Sequence, residues 1–208
     1  MVAIIGAGPA GMLAASQAAK LGAKVILLEK NERLGKKLVI TGKGRCNVTN
    51  DSDTDTLVKN IPGNGRFLYS ALTTFGSPAL QAFLQSHGVE LKVERGNRVF
   101  PLSDRSFEIV DGLRLALERN NVEVRLCSHV SQLLIENGRV AGLVVNEQPL
   151  YANAIIICTG GASYPATGST GDGYRLAAAA GHTIIPPKAA LVPLETAETW
   201  PKTLQGLA

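Results

Sequence analysis

No apolar run in this 208-residue chain approaches the roughly 20 residues that cross a bilayer. A membrane span is therefore not expected. Glycines and a proline follow the short apolar start at once, without a basic leader or a convincing cleavage site, so a cytoplasmic location is expected. Cysteine is scarce: Cys46, Cys127 and Cys158 are odd in number and widely spaced, which suits neither a disulfide framework nor a zinc site. Reduced thiols follow from this. The three histidines, His87, His129 and His182, are scattered, so no metal is expected. No GxSxG elbow presents a serine nucleophile. The glycines around Lys43 do not make a Walker A loop, because no Ser or Thr follows the lysine and no glycine precedes it at the right distance.

What is present is a modest excess of positive charge, +4 with a pI near 9.1, and it is not spread evenly. Lys30, Arg33, Lys36, Lys37, Lys43 and Arg45 fall in one short segment while the rest of the chain is close to balanced. That clustering suits a local anionic ligand better than a long polyanion, so nucleic acid is not the expected partner. Length and composition, with 45% hydrophobic and 18% charged residues, fit one well-buried domain or one domain with part of a second.

The chain begins "VAIIGAGPAGMLAASQAAKLGAKVILLEK". An apolar strand ends at Ile5, small residues from Pro9 to Leu21 form a helix, and "KVILLE" forms a second buried strand. This is a βαβ unit. Gly6, Gly8 and Gly11 form GxGxxG in its turn: the first permits the tight turn, the second lets backbone approach a pyrophosphate, and the third lets the helix lie close to the sheet. The helix start supplies unpaired N–H groups and a dipole favouring an anion by about 0.3–1 kcal/mol. Glu29, closing the second strand, can accept hydrogen bonds from both ribose hydroxyls and would repel a 2′-phosphate, which points to FAD or NAD at this site.

Residues 51–121 read as an insertion of short helices and a hairpin. "SPALQAFLQSHG" is a helix with Ser77 as cap and Pro78 at its first position, "ELKVERGNRVFP" is two strands about a Gly-Asn turn, and "SDRSFEIVDGLRLALERNN" is a helix capped by Ser103 or Asp104. "VEVRLC" is a strand of parallel type. A hairpin turns at Asn137-Gly138, and "ANAIIICTGG" is a buried strand ending in glycines. The stretch "GKKLVITGKGRCNVTN" at 35–50 lies just after the second strand, next in line along a cofactor held by the first unit. Lys36, Lys37, Lys43 and Arg45 are therefore candidates for phosphate or flavin contacts. Gly42 and Gly44 allow main-chain N–H groups to come close. Arg45 is placed to stabilise a reduced, anionic flavin. Cys46, with no second thiol nearby in sequence, reads as a small packed side chain.

Together "GAGPAGMLAA", "GKKLVITGKGRCNVTN" and "TGGASYPATGSTGDGY" resemble the bacterial NAD(P)/FAD-dependent oxidoreductases of the BaiN/YhiN type, flavoproteins with a two-dinucleotide-binding-domain fold. The resemblance covers essentially all of the chain and about half of a typical member. It implies an α/β fold: a doubly wound, Rossmann-like FAD-binding domain over 1–182, carrying the helical and hairpin insertion at about 51–121, with a small inserted β-rich piece beside it. The start of a second, β-rich inserted domain is implied at 183–208, its first strand in "PKTLQGLA". It implies FAD contacts from Gly6, Ala7, Gly8, Pro9, Ala10 and Gly11, from Glu29, Lys30 and Lys37, and from Gly42, Gly44, Arg45, Cys46 and Asn47. Val130, Thr159, Gly160 and Gly161 are implied as further contacts. The activity implied is hydride transfer between a nicotinamide cofactor, NAD(P)H, or a small-molecule substrate and bound FAD. The alternative is a truncated, inactive nucleotide-binding fragment that needs its missing C-terminal half or a partner chain. No residue stands out as a general base, and the substrate is unnamed by either route.

Overall fold

The computed structural model describes residues 1–189 and 197–204. Its centre is the expected βαβ unit: β1 (Val2–Ile5), α1 (Pro9–Lys20) and β2 (Val25–Leu28). Strand β3 (Thr49–Asn50) and helices α2 (Thr54–Lys59), α3 (Tyr69–Thr74) and α4 (Ser77–Ser86) follow, then β4 (Leu91–Glu94), β5 (Arg98–Pro101) and helix α5 (Ser106–Arg119). The chain continues through β6 (Glu123–Arg125), β7 (Val130–Glu136), β8 (Arg139–Val145), β9 (Gln148–Tyr151) and β10 (Ala154–Ile157) to α6 (Asp172–Ala179) and α7 (Trp200–Thr203).

Four strands form a parallel sheet in the order β10-β1-β2-β6, with Ile4 opposite both Leu27 and Ile156. The central strands are apolar at nearly every position because both faces of the sheet are covered. On one face Ile4 and Leu27 meet Met12 of α1 and Ile109, Leu113 and Leu117 of α5. On the other, Ala3, Ile5, Ile26 and Leu28 meet Leu133, Leu143 and Val145 of the antiparallel sheet β7-β8-β9, with Leu176 of α6. Each fully buried Ile or Leu stabilises the fold by about 1.5–3 kcal/mol, so this two-sided core fixes where the strand ends lie. The fold is Rossmann-type, with additional antiparallel strands. The β3-β5-β4 sheet stands apart from the parallel one.

Local expectations were met where turn chemistry was strong. Asn137 and Gly138 both take positive φ, 51° and 72°, as a tight hairpin between β7 and β8 requires. The Gly96-Asn97 turn between β4 and β5 does the same. Four details differ. Helix α4 is capped by Gly76, with Ser77 buried as its first residue, because its hydroxyl lies beside Gln81 instead of facing the helix start. Helix α5 is capped by Arg105 without a side-chain hydrogen bond, and Ser103 instead accepts the Arg105 N–H. Strand β10 is not buried: it is the sheet edge, and Ile156 and Ile157 stay 37% and 36% exposed. The strand expected in "PKTLQGLA" is helical over Pro201–Thr203, within α7, and residues 205–208 lie outside the described residues. The rest of the β-rich piece expected from 183 has no regular element over 183–189, and 190–196 also lie outside the described residues.

Candidate functional site

A cavity of about 320 Å³ opens at the carboxyl ends of β1, β2 and β10. This is where open α/β sheets place ligands. Its floor is the turn from β1 into α1. Gly6 has φ +99°, and a β-carbon there would stand 2.5 Å from the Cys158 carbonyl oxygen, so the turn tucks against the end of β10. A β-carbon on Gly11 would collide with the Gly6 carbonyl, which is how α1 packs so close to β1. Gly8 differs from both: a β-carbon there meets nothing within 4 Å. Two glycines are thus required by packing, and one leaves the cavity open.

The α1 start faces this space uncapped. Gly8 is its N-cap, no side chain caps it, and no acid occupies the first turn. Pro9 has no N–H to donate, which leaves the early amides at Ala10 and Gly11 without intrahelical partners. Ala7 is fully buried, and its N–H donates to Glu29 Oε2 at 2.7 Å. Glu29 is itself 7% exposed, and its Oε1 accepts from the Asn31 backbone N–H at 2.9 Å and from Asn31 Nδ2 at 2.6 Å. The carboxylate therefore organises the turn as well as lining the cavity.

A loop following β10 closes one side. Lys30 Nζ donates to Asp172 Oδ2 at 2.6 Å and to Thr170 Oγ1 at 2.7 Å, Lys37 Nζ donates to Ser169 Oγ at 3.0 Å, and Asn31 Nδ2 donates to the Thr167 carbonyl at 3.3 Å. Burial raises the Asp172 pKa, but the hydrogen bonds from Lys30 and Thr170 outweigh it and hold the carboxyl below its ordinary value. Lys36 reaches Asn31 Oδ1 only at 3.4 Å. Of the basic cluster, Lys30, Lys36 and Lys37 thus face the cavity, and among them Lys30 alone is paired with a carboxylate among the described residues.

Of the residues singled out in the sequence, the cavity brings together Gly6, Ala7, Gly8, Pro9, Ala10, Glu29, Lys30, Lys36, Lys37, Val130, Thr159 and Gly160. Gly11 lies behind the turn. Gly161 sits against the Tyr174 hydroxyl. Gly42, Lys43, Gly44, Arg45, Cys46 and Asn47 do not line this cavity. Arg45 is engaged with Glu94 and Asp104, and Asn47, with its amide nitrogen turned inward, donates to the Thr49 and Val99 carbonyls. Cys46 is 3% exposed in the helix-side core, and burial pushes its thiol pKa up despite a hydrogen bond with Thr41. Packing is thus what its surroundings describe.

Sequence reasoning missed Asn31, Ser128, His129, Thr167, Gly168, Ser169 and Asp172 as cavity residues. A signal exists for the last four, which lie within the third motif, beyond the three residues at its start. Ser128 and His129 carry no such signal; they lie in the connection from β6 to β7, where the Ser128 N–H donates to the Glu29 carbonyl at 2.8 Å.

The profile of the HI0933-like protein Rossmann domain matches residues 1–206. The 3-dehydro-bile acid delta(4,6)-reductase of Clostridium scindens is 34% identical over 199 residues, covering 93% of this chain and 47% of that protein. A ribosomal RNA dihydrouridine synthase of Haemophilus influenzae is 32% identical, covering 94% of this chain and 49% of its own length. Among solved structures, the open conformation of a flavocytochrome c3 fumarate reductase is 27% identical with a TM-score of 0.60, covering 77% of this chain and 33% of that one. Mycobacterium smegmatis Sdh1 with UQ1 shares the fold at 20% identity and TM-score 0.67, over 86% of this chain and 38% of that one. The chain spans about half the length of the curated relatives it matches.

Proposed function

We propose, from the premise that this chain belongs to the HI0933-like Rossmann-domain family, that its cavity holds the adenosine and pyrophosphate end of FAD and that it serves an oxidoreductase. One observation carries the reading: an uncapped helix start, an open Gly8 and a buried carboxylate meet in a single cavity flanked by lysines. The residues fit the group. The α1 start, with the Ala10 amide foremost, would hold the pyrophosphate, Lys30 and Lys37 would add positive charge, and Glu29 has lone pairs left for ribose hydroxyls. Bound FAD would supply two-electron redox chemistry. The chain's own part is to bind, orient and exclude water around it.

Two relatives motivate a substrate class. One reduces a 3-dehydro bile acid, and the other forms dihydrouridine in ribosomal RNA. Both are reductions of a carbon–carbon double bond conjugated to a carbonyl. We assign this chain's family chemistry to that class, with NADH or NADPH as electron donor. RNA thereby joins the substrates to be tried, although the basic cluster lies beside the dinucleotide turn instead of along a continuous face.

The first test is the visible spectrum of the purified protein after FAD addition and gel filtration, followed by NADH and NADPH. Retained FAD that bleaches supports the full reading. A folded protein that retains no FAD overturns it. FAD retained but not reduced by either nucleotide favours the second reading, a nucleotide-binding unit that turns over only with further protein, which the half-length match to the relatives motivates.

A further inference from the structure

The glycine-rich stretch after β2 is held in a backbone shape its residues resist. Gly42, Lys43, Gly44 and Cys46 all take positive φ, at 56°, 56°, 84° and 60°. A lysine and a cysteine are disfavoured there, so such a loop keeps its shape only where neighbours over-determine it. Cys46 is anchored from below by burial, with its N–H on the Thr41 carbonyl at 3.0 Å.

Arg45 points the other way, to the β4–β5 hairpin. Its guanidinium contacts Glu94 Oε1 on β4 and Asp104 Oδ1 beyond β5, and its Nε also donates to Asp104 Oδ1 at 2.8 Å. Lys92 closes the circuit, with Nζ 2.6 Å from Asp104 Oδ2 and 3.5 Å from Glu94 Oε1. Two cations and two carboxylates alternate around a ring with no net charge. The guanidinium also lies 4.2 Å from the centre of the Phe100 ring, whose edge would touch a β-carbon on Gly42. Hydrogen bonds from Arg45 to Glu94, and from Lys92 and then Arg45 to Asp104, hold both carboxyls below their ordinary range. Lys43, by contrast, is exposed, with no hydrogen bond or ion pair among the described residues.

We infer that Arg45 is a positioning residue: with Glu94, Asp104 and Lys92 it clamps the left-handed loop 42–46 to the β4–β5 hairpin, so that the loop meets the cofactor already shaped. The inference rests on the FAD reading for what the loop meets, but not for the clamp itself. It replaces the direct electrostatic contact with flavin that the sequence suggested, and the two accounts differ in sign. If Arg45 acted on the cofactor by its charge, removing Glu94 and Asp104 would free that charge and tighten FAD. If it acts as a clamp, the same change releases the loop and weakens FAD.

The test uses the full 208-residue chain as wild type, R45M, R45K and the double variant E94Q/D104N. Hydrogen–deuterium exchange is followed without cofactor, and FAD affinity is measured by fluorescence titration. Exchange over 41–47 is expected to rise at least tenfold in R45M and in E94Q/D104N, with β1 and β2 unchanged. FAD affinity is expected to fall about equally in both. R45K should lie between, since one ammonium reaches one carboxylate. Wild-type exchange in E94Q/D104N, or tighter FAD there while R45M loses it, overturns the clamp. Should the double variant fail to fold, E94Q alone decides by the same local exchange, a rise supporting the clamp and a wild-type rate refuting it. If the wild type takes no FAD, exchange still decides the clamp and only the cofactor reading falls.

Discussion

Replacing Gly8 by valine separates binding from folding in a way that the other two glycines of the turn cannot. Gly8 has φ −73° and ψ 178°, a conformation open to any residue, and a β-carbon there meets nothing within 4 Å. The expected cost to the fold is the loss of a tolerated N-cap residue for a poor one, about 0.5–1 kcal/mol. For a chain of this size that lowers Tm by about 1–4 °C. The cost to binding is larger, because the side chain fills the space before the α1 amides. Losing one or two hydrogen bonds to a charged group, at about 1.5–3 kcal/mol each, weakens FAD by roughly tenfold to more than a thousandfold. The assay pairs thermal unfolding of the cofactor-free protein with FAD titration. Stoichiometric FAD in G8V would refute the site, and a Tm loss above about 10 °C would refute the claim that this position is open.

Three further outcomes are expected. G11A should unfold at least 10 °C below wild type without any cofactor, since its β-carbon meets the Gly6 carbonyl, which cannot yield as a side-chain tip does; an unchanged Tm would count against that packing. E29A should lose stability as well as FAD, because the buried Ala7 N–H is left without its acceptor, at about 1–3 kcal/mol; denaturant unfolding that matches wild type would show that the turn holds without it. Of the three thiols, exposed Cys127 should react fast with a thiol reagent at pH 8, while burial, by raising their pKa, keeps Cys46 and Cys158 slow; FAD should slow cavity-lining Cys158 further, and rapid labelling of Cys46 would contradict its packed environment.

The sequence made the β1–α1–β2 unit legible because three signals coincide within thirty residues: apolar runs, a glycine turn and a terminal acid. The later loop was harder. Thr167–Ser169 and Asp172 reach the cavity through partners on Lys30, Asn31 and Lys37, and no local pattern reveals which distant segment a lysine meets. The partners of Arg45 were hidden for a similar reason. A cation beside glycines looks ready for an anionic ligand, but its partners are supplied by a hairpin about fifty residues on. Glu29 was assigned a ligand role alone, whereas its carboxylate also holds the turn. Burial of β10 was overestimated because its composition matches the central strands, and only topology tells an edge from a centre.

That topology also sets an order of events during synthesis. Val2 can pair with Val25 soon after both are made, but its other neighbour, Ala154, follows only after more than a hundred further residues. At about 5–20 residues per second, the flank of β1 waits on the order of ten to thirty seconds for β10 to leave the ribosome. Such long-range pairing slows folding, and β10 with the loop that follows it completes the pocket wall. A nascent chain can therefore form its dinucleotide turn early and still have no closed cavity until its final third emerges.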